Sequence, residues 1–211
     1  MRYLLSFLLL CGSVAGMAQD LDFPDFRSKK DNFSKVRDMP LRNDLASFLL
    51  AGVDESIGKA VLKNLPVKEY GNNFMTFEGD NIQVTIRTGA FDPSKYKIQR
   101  QETHVLKING HPYYGGNYGE LPRTIVQSVT VLIGKDTVAI PKEAYSDLFE
   151  PRFSYNESGS AKTRNNVYLS GDKSRIYIYM FNPDFGGSEY TWVIQDKNYL
   201  RRVVDFGILQ K

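Results

Sequence analysis

Hydrophobic and polar positions alternate most regularly between residues 167 and 206. Successive side chains of a strand point to opposite faces. Over residues 175–181 this puts Ile176, Ile178 and Met180 on one face and Tyr177 and Tyr179 on the other. Over 189–195, Tyr190, Trp192 and Ile194 share one face, and Glu189, Thr191, Val193 and Gln195 take the other. A third strand over 199–206 puts Leu200, Val204 and Phe206 together, interrupted by Arg202. The turn formers of 182–188 and 196–198 separate the three strands, so the pattern predicts an antiparallel meander. Ile176, Ile178 and Met180 are expected to be buried together. Tyr177 and Tyr179 stand where a half-exposed sheet carries polar residues. Either a second layer, such as a helix starting at Asp54, covers them, or they form an aromatic surface.

The same reading extends back along the chain. Residues 73–78 and 82–88 are predicted strands around a hairpin turn at Gly79, Asp80 and Asn81. Residues 96–108 alternate loosely and end at Asn109-Gly110, a pair suited to the positive φ of a type I′ turn. A β-branched strand over 124–133 turns at Gly134, Lys135 and Asp136 into 137–140. Two helices are expected. One runs over 54–65, capped by Asp54 and stopped by Pro66; the other runs over 142–149 after Pro141. The apolar run 45–50 fits a buried strand or part of a helix equally well. Residues 154–166 are small, polar and glycine-containing, and read as a mobile surface loop. The fold class is therefore all-β or β-dominated α+β, an antiparallel sandwich or open barrel with one or two short helices.

The first 18 residues do not belong to that pattern. Arg2 precedes a short apolar run over 3–11, and Gly16 and Ala18 put small side chains at both subsites of a signal peptidase. Residues 1–18 therefore read as a bacterial signal peptide, and the run is too short to span a bilayer. A lipoprotein signal acylated at Cys11 is the alternative, disfavoured by the bulky Leu10 before it. Residues 19–44 read as a polar N-terminal extension and 45–211 as a single β-rich domain. The export reading places the protein in the periplasm, at the cell surface or outside the cell. Cys11 is the one cysteine, so removing the signal leaves a thiol-free chain without disulfides. The formal net charge is +3 over 211 residues, too weakly basic to imply a nucleic-acid partner. No transmembrane segment is expected.

Few chemistries have the residues they need. The two histidines, His104 and His111, lack the His-Glu-x-x-His spacing of a zinc helix. Ser188 follows two glycines but precedes a strand, the wrong setting for a nucleophile elbow. Glu143 and Asp147 would share a helix face, which reads as a solvated face beside Lys142 and not as opposed glycosidase carboxylates. The turn from Asn182 to Glu189 offers alternating oxygen donors, but Val193 occupies the position of an EF-hand glutamate. No metal or cofactor is expected.

The binding candidate is the loop over 111–122, with Tyr113, Tyr114, Asn117, Tyr118 and Glu120. Its tyrosines offer flat faces for sugar rings or peptide groups, and its glycines admit a ligand close to the backbone. The competing reading is that the tyrosines fold back over an open end of the sandwich. The expected function is non-enzymatic binding, with carbohydrate or protein as plausible partners. The rivals are a secreted hydrolase assembled from distant residues such as His111, Glu120 and Asp184, and an assembly factor pairing through a strand edge.

Overall fold

A computed structural model describes residues 36–49, 62–117, 119–182 and 188–206, without the side chains of Asp205 and Phe206. The expected signal peptide, Tyr118, Asp184 and residues 54–61 of the expected first helix lie outside them. One α-helix, α1 (Met39–Leu49), precedes fourteen strands among the described residues. These are β1 (Lys63–Asn64), β2 (Val67–Tyr70), β3 (Phe74–Gly79), β4 (Ile82–Ala90), β5 (Ile98–Gln101), β6 (His104–Ile108), β7 (Thr124–Ile133), β8 (Asp136–Val138), β9 (Tyr155–Glu157), β10 (Ser160–Lys162), β11 (Asn166–Leu169), β12 (Arg175–Asn182), β13 (Ser188–Gln195) and β14 (Asn198–Phe206).

Two five-stranded sheets form the body. The first has the order β2-β3-β4-β7-β8 and the second β1-β11-β12-β13-β14. Every ladder in both is antiparallel and neither sheet closes into a barrel, so the architecture is sandwich-like. Residues 65–66 carry the chain from one sheet to the other. The Leu65 amide donates to the Val167 carbonyl at 2.8 Å, and the Pro66 carbonyl accepts from the Glu78 amide at 3.1 Å. The turns obey local chemistry. Asp80 and Asn81, Asn109 and Gly110, and Asp196 and Lys197 each hold positive φ at both central positions, as type I′ turns require.

The inner faces of both sheets meet in one core. Met75, Phe77, Val84, Ile86 and Val131 come from the first sheet, and Ile176, Ile178, Met180, Trp192 and Ile194 from the second. Burial of Ile176, Ile178 and Met180 together follows the alternation. The outer face of the second sheet is covered as well. Leu41, Leu45 and Leu49 of α1 pack with Val36 on Tyr177, Val193 and Val203. Phe48 stacks on Tyr168 with ring centroids 4.7 Å apart and meets Tyr179 edge-on at 5.6 Å. The covering layer is therefore α1, which begins at Met39, before the expected start of the domain at 45. Asp38 caps it, its carboxylate accepting from the Leu41 amide at 2.9 Å. Asp44 then fastens it to the sheet by accepting from the Tyr177 hydroxyl.

Four expectations need correction. A helix cannot run to Leu65, because Lys63–Asn64 pair with β11. The helix expected over 142–149 is one 3-10 turn, Lys142–Ala144. It stops because Leu148 and Phe149 form bridges to Tyr114 and Ile125. Residues 154–166 hold the β9–β10 hairpin, turned by Ser158 and Gly159 at positive φ. A bulge opposite Val193 and Ile194 aligns Tyr199, not Leu200, with Ile194. Leu200 is left 47% exposed and does not share a face with Val204. No helix among the described residues is long and apolar enough to cross a membrane.

Candidate functional site

The side chain of Asn165 is fully buried and joins three pieces of chain. Its Nδ2 donates to the Arg152 carbonyl at 2.9 Å and the Phe153 carbonyl at 3.3 Å, and its Oδ1 accepts from the Phe181 amide at 3.0 Å. One amide thus satisfies three backbone groups at the end of β12, which a burial without partners would make costly. The chain around it builds a small cleft of about 170 Å³ lined by Arg152, Tyr155, Arg164 and Phe181. Phe181 ends the helix-covered face of β12, and Tyr155 comes from the first position of β9.

Charge and aromatic faces are combined in this cleft. The Arg164 guanidinium carbon lies 4.9 Å from the Phe181 ring centroid and 5.6 Å from that of Tyr155. Arg164 is exposed, so each such contact contributes about 0.5–1 kcal/mol. Two ring contacts restrict where the guanidinium can sit, and its N–H donors remain in the plane of the group. Glu157 on the same hairpin is engaged by Lys162, whose ammonium holds its carboxyl below the usual range. Arg164 itself forms no ion pair among the described residues. Further along the same face, burial first and the neighbouring Glu189 carboxylate second push the Tyr179 hydroxyl far up, so it stays protonated.

The loop singled out in the sequence is built differently. Tyr114 is 2% exposed and meets Tyr190 edge-on at 5.8 Å, so its ring belongs to the core. Tyr113 packs on Phe149 at 5.8 Å, and its hydroxyl donates to the Glu120 carbonyl at 3.2 Å. Asn117 and Glu120 are exposed and bond each other at 2.9 Å. Both tyrosines described in this loop fold back on the end of the sandwich. His104 lies over Gly119, and His111 pairs with Ile108 beyond the Asn109-Gly110 turn.

Other candidates resolve into structural roles. Asp147 is not on a solvated helix face: its two oxygens accept from Arg202 Nη1 at 2.5 Å and Nη2 at 2.9 Å. Burial works against the Arg202 charge, but the Asp147 carboxylate outweighs it and keeps the guanidinium protonated. The Ala144 carbonyl accepts from both Trp192 Nε1 at 2.7 Å and Arg202 Nη1 at 3.0 Å. Ser188 is buried with its hydroxyl 2.7 Å from that of Tyr190. Asn182 and Glu189, the ends of the oxygen-rich turn, are buried, and residues 183–187 lie outside the described part. Among the described residues no three His, Cys, Asp or Glu side chains are grouped to hold a metal ion.

Sequence reasoning missed Arg152, Tyr155, Arg164 and Phe181. They carry no spacing motif, and three of them fall in or beside the stretch read as a mobile loop. The chain matches no protein-family model, no curated protein and no solved structure.

Proposed function

We propose that this chain is an exported bacterial binding protein, acting in the periplasm or at the cell surface, whose ligand seats in the cleft of Arg152, Tyr155, Arg164 and Phe181. The observation that carries the reading is a cleft whose walls are tied together by a buried asparagine and lined by two cations and two aromatic faces. Pre-organisation of this kind lowers the ordering cost of binding. The lining supports binding, since guanidinium groups and aromatic faces hold a ligand by charge, hydrogen bonds and ring contact. The signal-like first 18 residues support export.

The test is a melting-temperature screen of the purified chain against glycans and peptidoglycan fragments, run in parallel on Tyr155→Leu. The expected result is a ligand that raises the melting temperature of the parent chain and not of the variant. Turnover of that ligand, or a shift indifferent to Tyr155, would remove the reading.

A further inference from the structure

We infer that the group this cleft receives is a carboxylate on a compact body, bound edge-on by the Arg164 guanidinium. The inference rests on the binding reading above and adds the chemistry of the ligand.

Arg164 is held against two rings, at 4.9 Å and 5.6 Å, with its backbone carbonyl accepting from Asn166 Nδ2 at 3.3 Å. A guanidinium carries pairs of parallel N–H donors along the edges of its plane. Two parallel donors match the two coplanar oxygens of a carboxylate. Arg164 forms no ion pair among the described residues; the Glu157 carboxylate on the same hairpin is hydrogen-bonded by Lys162 and feels the Arg164 charge only at longer range. Arg152 also lines the cleft.

Size narrows the class. The volume of about 170 Å³ falls below the range of roughly 300–1,000 Å³ typical of small-molecule pockets. It suits one ring or one sugar residue carrying the acid group. Both arginines are exposed, so the pair that forms stays partly hydrated and weakens as salt is added.

The experiment is an NMR titration of the isotope-labelled full chain with benzoate and galacturonate, against their neutral counterparts benzamide and galactose, and against inorganic phosphate. Shifts are read at the Arg164 side-chain N–H and the Phe181 amide, in the parent chain, Arg164→Gln and Arg164→Lys. Thermal melts establish that both variants fold. The inference expects at least one carboxylate to bind, its neutral counterpart to fail, and affinity to fall at least about tenfold in both variants. Benzoate binding alone assigns an apolar body; galacturonate binding alone assigns an acidic sugar. Equal binding of the neutral probes, weakened by Tyr155→Leu but not by Arg164→Gln, overturns the carboxylate and leaves the binding cleft standing. Phosphate binding as well as the carboxylates also overturns it, in favour of general oxyanion attraction. If no probe moves cleft resonances at about 10 mM, the carboxylate inference falls, and the binding reading is decided separately by the melting-temperature screen.

Discussion

At the scale of single residues, Asn165 carries the most structural consequence. Its partners lie 12, 13 and 16 residues away, so it ties the Arg152–Phe153 segment to the end of the β11–β12 ladder. Asn165→Leu would leave the Phe181 amide and two carbonyls without it. We expect a stability loss of at least about 2 kcal/mol by urea unfolding, together with altered chemical shifts around Phe181. Asp172 illustrates a different residue-scale effect, in the turn between β11 and β12. Its Oδ1 accepts from the Ser170 hydroxyl at 2.6 Å and the Ser174 amide at 3.0 Å. These bonds, that of Ser170 foremost, pull its carboxyl down from 3.8 to about 2. A depressed carboxyl stabilises the folded chain above its unfolded value, and that contribution drains away as pH falls from 3.8 toward 2. Urea midpoints should therefore show the parent chain more stable than Asp172→Asn near neutral pH, with the gap closing below pH 3.8.

At the scale of elements, α1 and the loop over 111–122 decide how much of the second sheet and its open end meets water. The sequence carries the signals of α1: Asp38 as cap, Pro40 in the first turn, and Leu41, Leu45 and Leu49 spaced four apart. They are hard to read because Arg42 and Asp44 interrupt the apolar run, and Asp44 turns out to face Tyr177. Leu45→Ala, at a fully buried position, should cost about 2–4 kcal/mol in urea unfolding. It should also raise binding of a fluorescent hydrophobic dye, as the face of Tyr177 and Tyr179 becomes accessible. The loop depends on one glycine in the same way. Gly115 sits at φ +92°, and a Cβ there would lie 1.9 Å from the Phe149 carbonyl oxygen and 2.6 Å from Asn182 Nδ2. Gly115→Ala is expected to lose at least about 2 kcal/mol, read by the same unfolding assay.

At the scale of the whole molecule, an ion pair locks the end of the sandwich. Arg202 stands on the inner face of β14, opposite Trp192, and is 4% exposed. Asp147 and the Ala144 carbonyl reach it from the segment that leaves β8, and its guanidinium carbon lies 5.9 Å from the Tyr114 ring centroid. The pair thus ties β14 to both loops at that end. Breaking a buried pair strands a charge, whereas replacing both members by apolar groups removes the desolvation cost along with the attraction. Asp147→Leu alone should cost about 3–5 kcal/mol, and the double change with Arg202→Met should cost less than that single. A double-mutant cycle in urea checks both.

The sequence alone determined the antiparallel β-rich class, the burial of Ile176, Ile178 and Met180, and the turns at Asp80-Asn81 and Asn109-Gly110. Those features follow from side-chain period and from backbone preferences that act over a few residues. It left two faces of one question open, because alternation shows that Tyr177 and Tyr179 point away from the core but not what meets them. Only tertiary packing decided that α1 covers them, that Asp147 spends its charge on Arg202, and that a bulge turns Leu200 outward. The cleft belongs to the same class. The β9–β10 and β11–β12 ladders bring Tyr155, Arg164 and Phe181 near one another, Asn165 ties the Arg152–Phe153 segment to them, and contacts between distant segments leave no period in the chain that makes them.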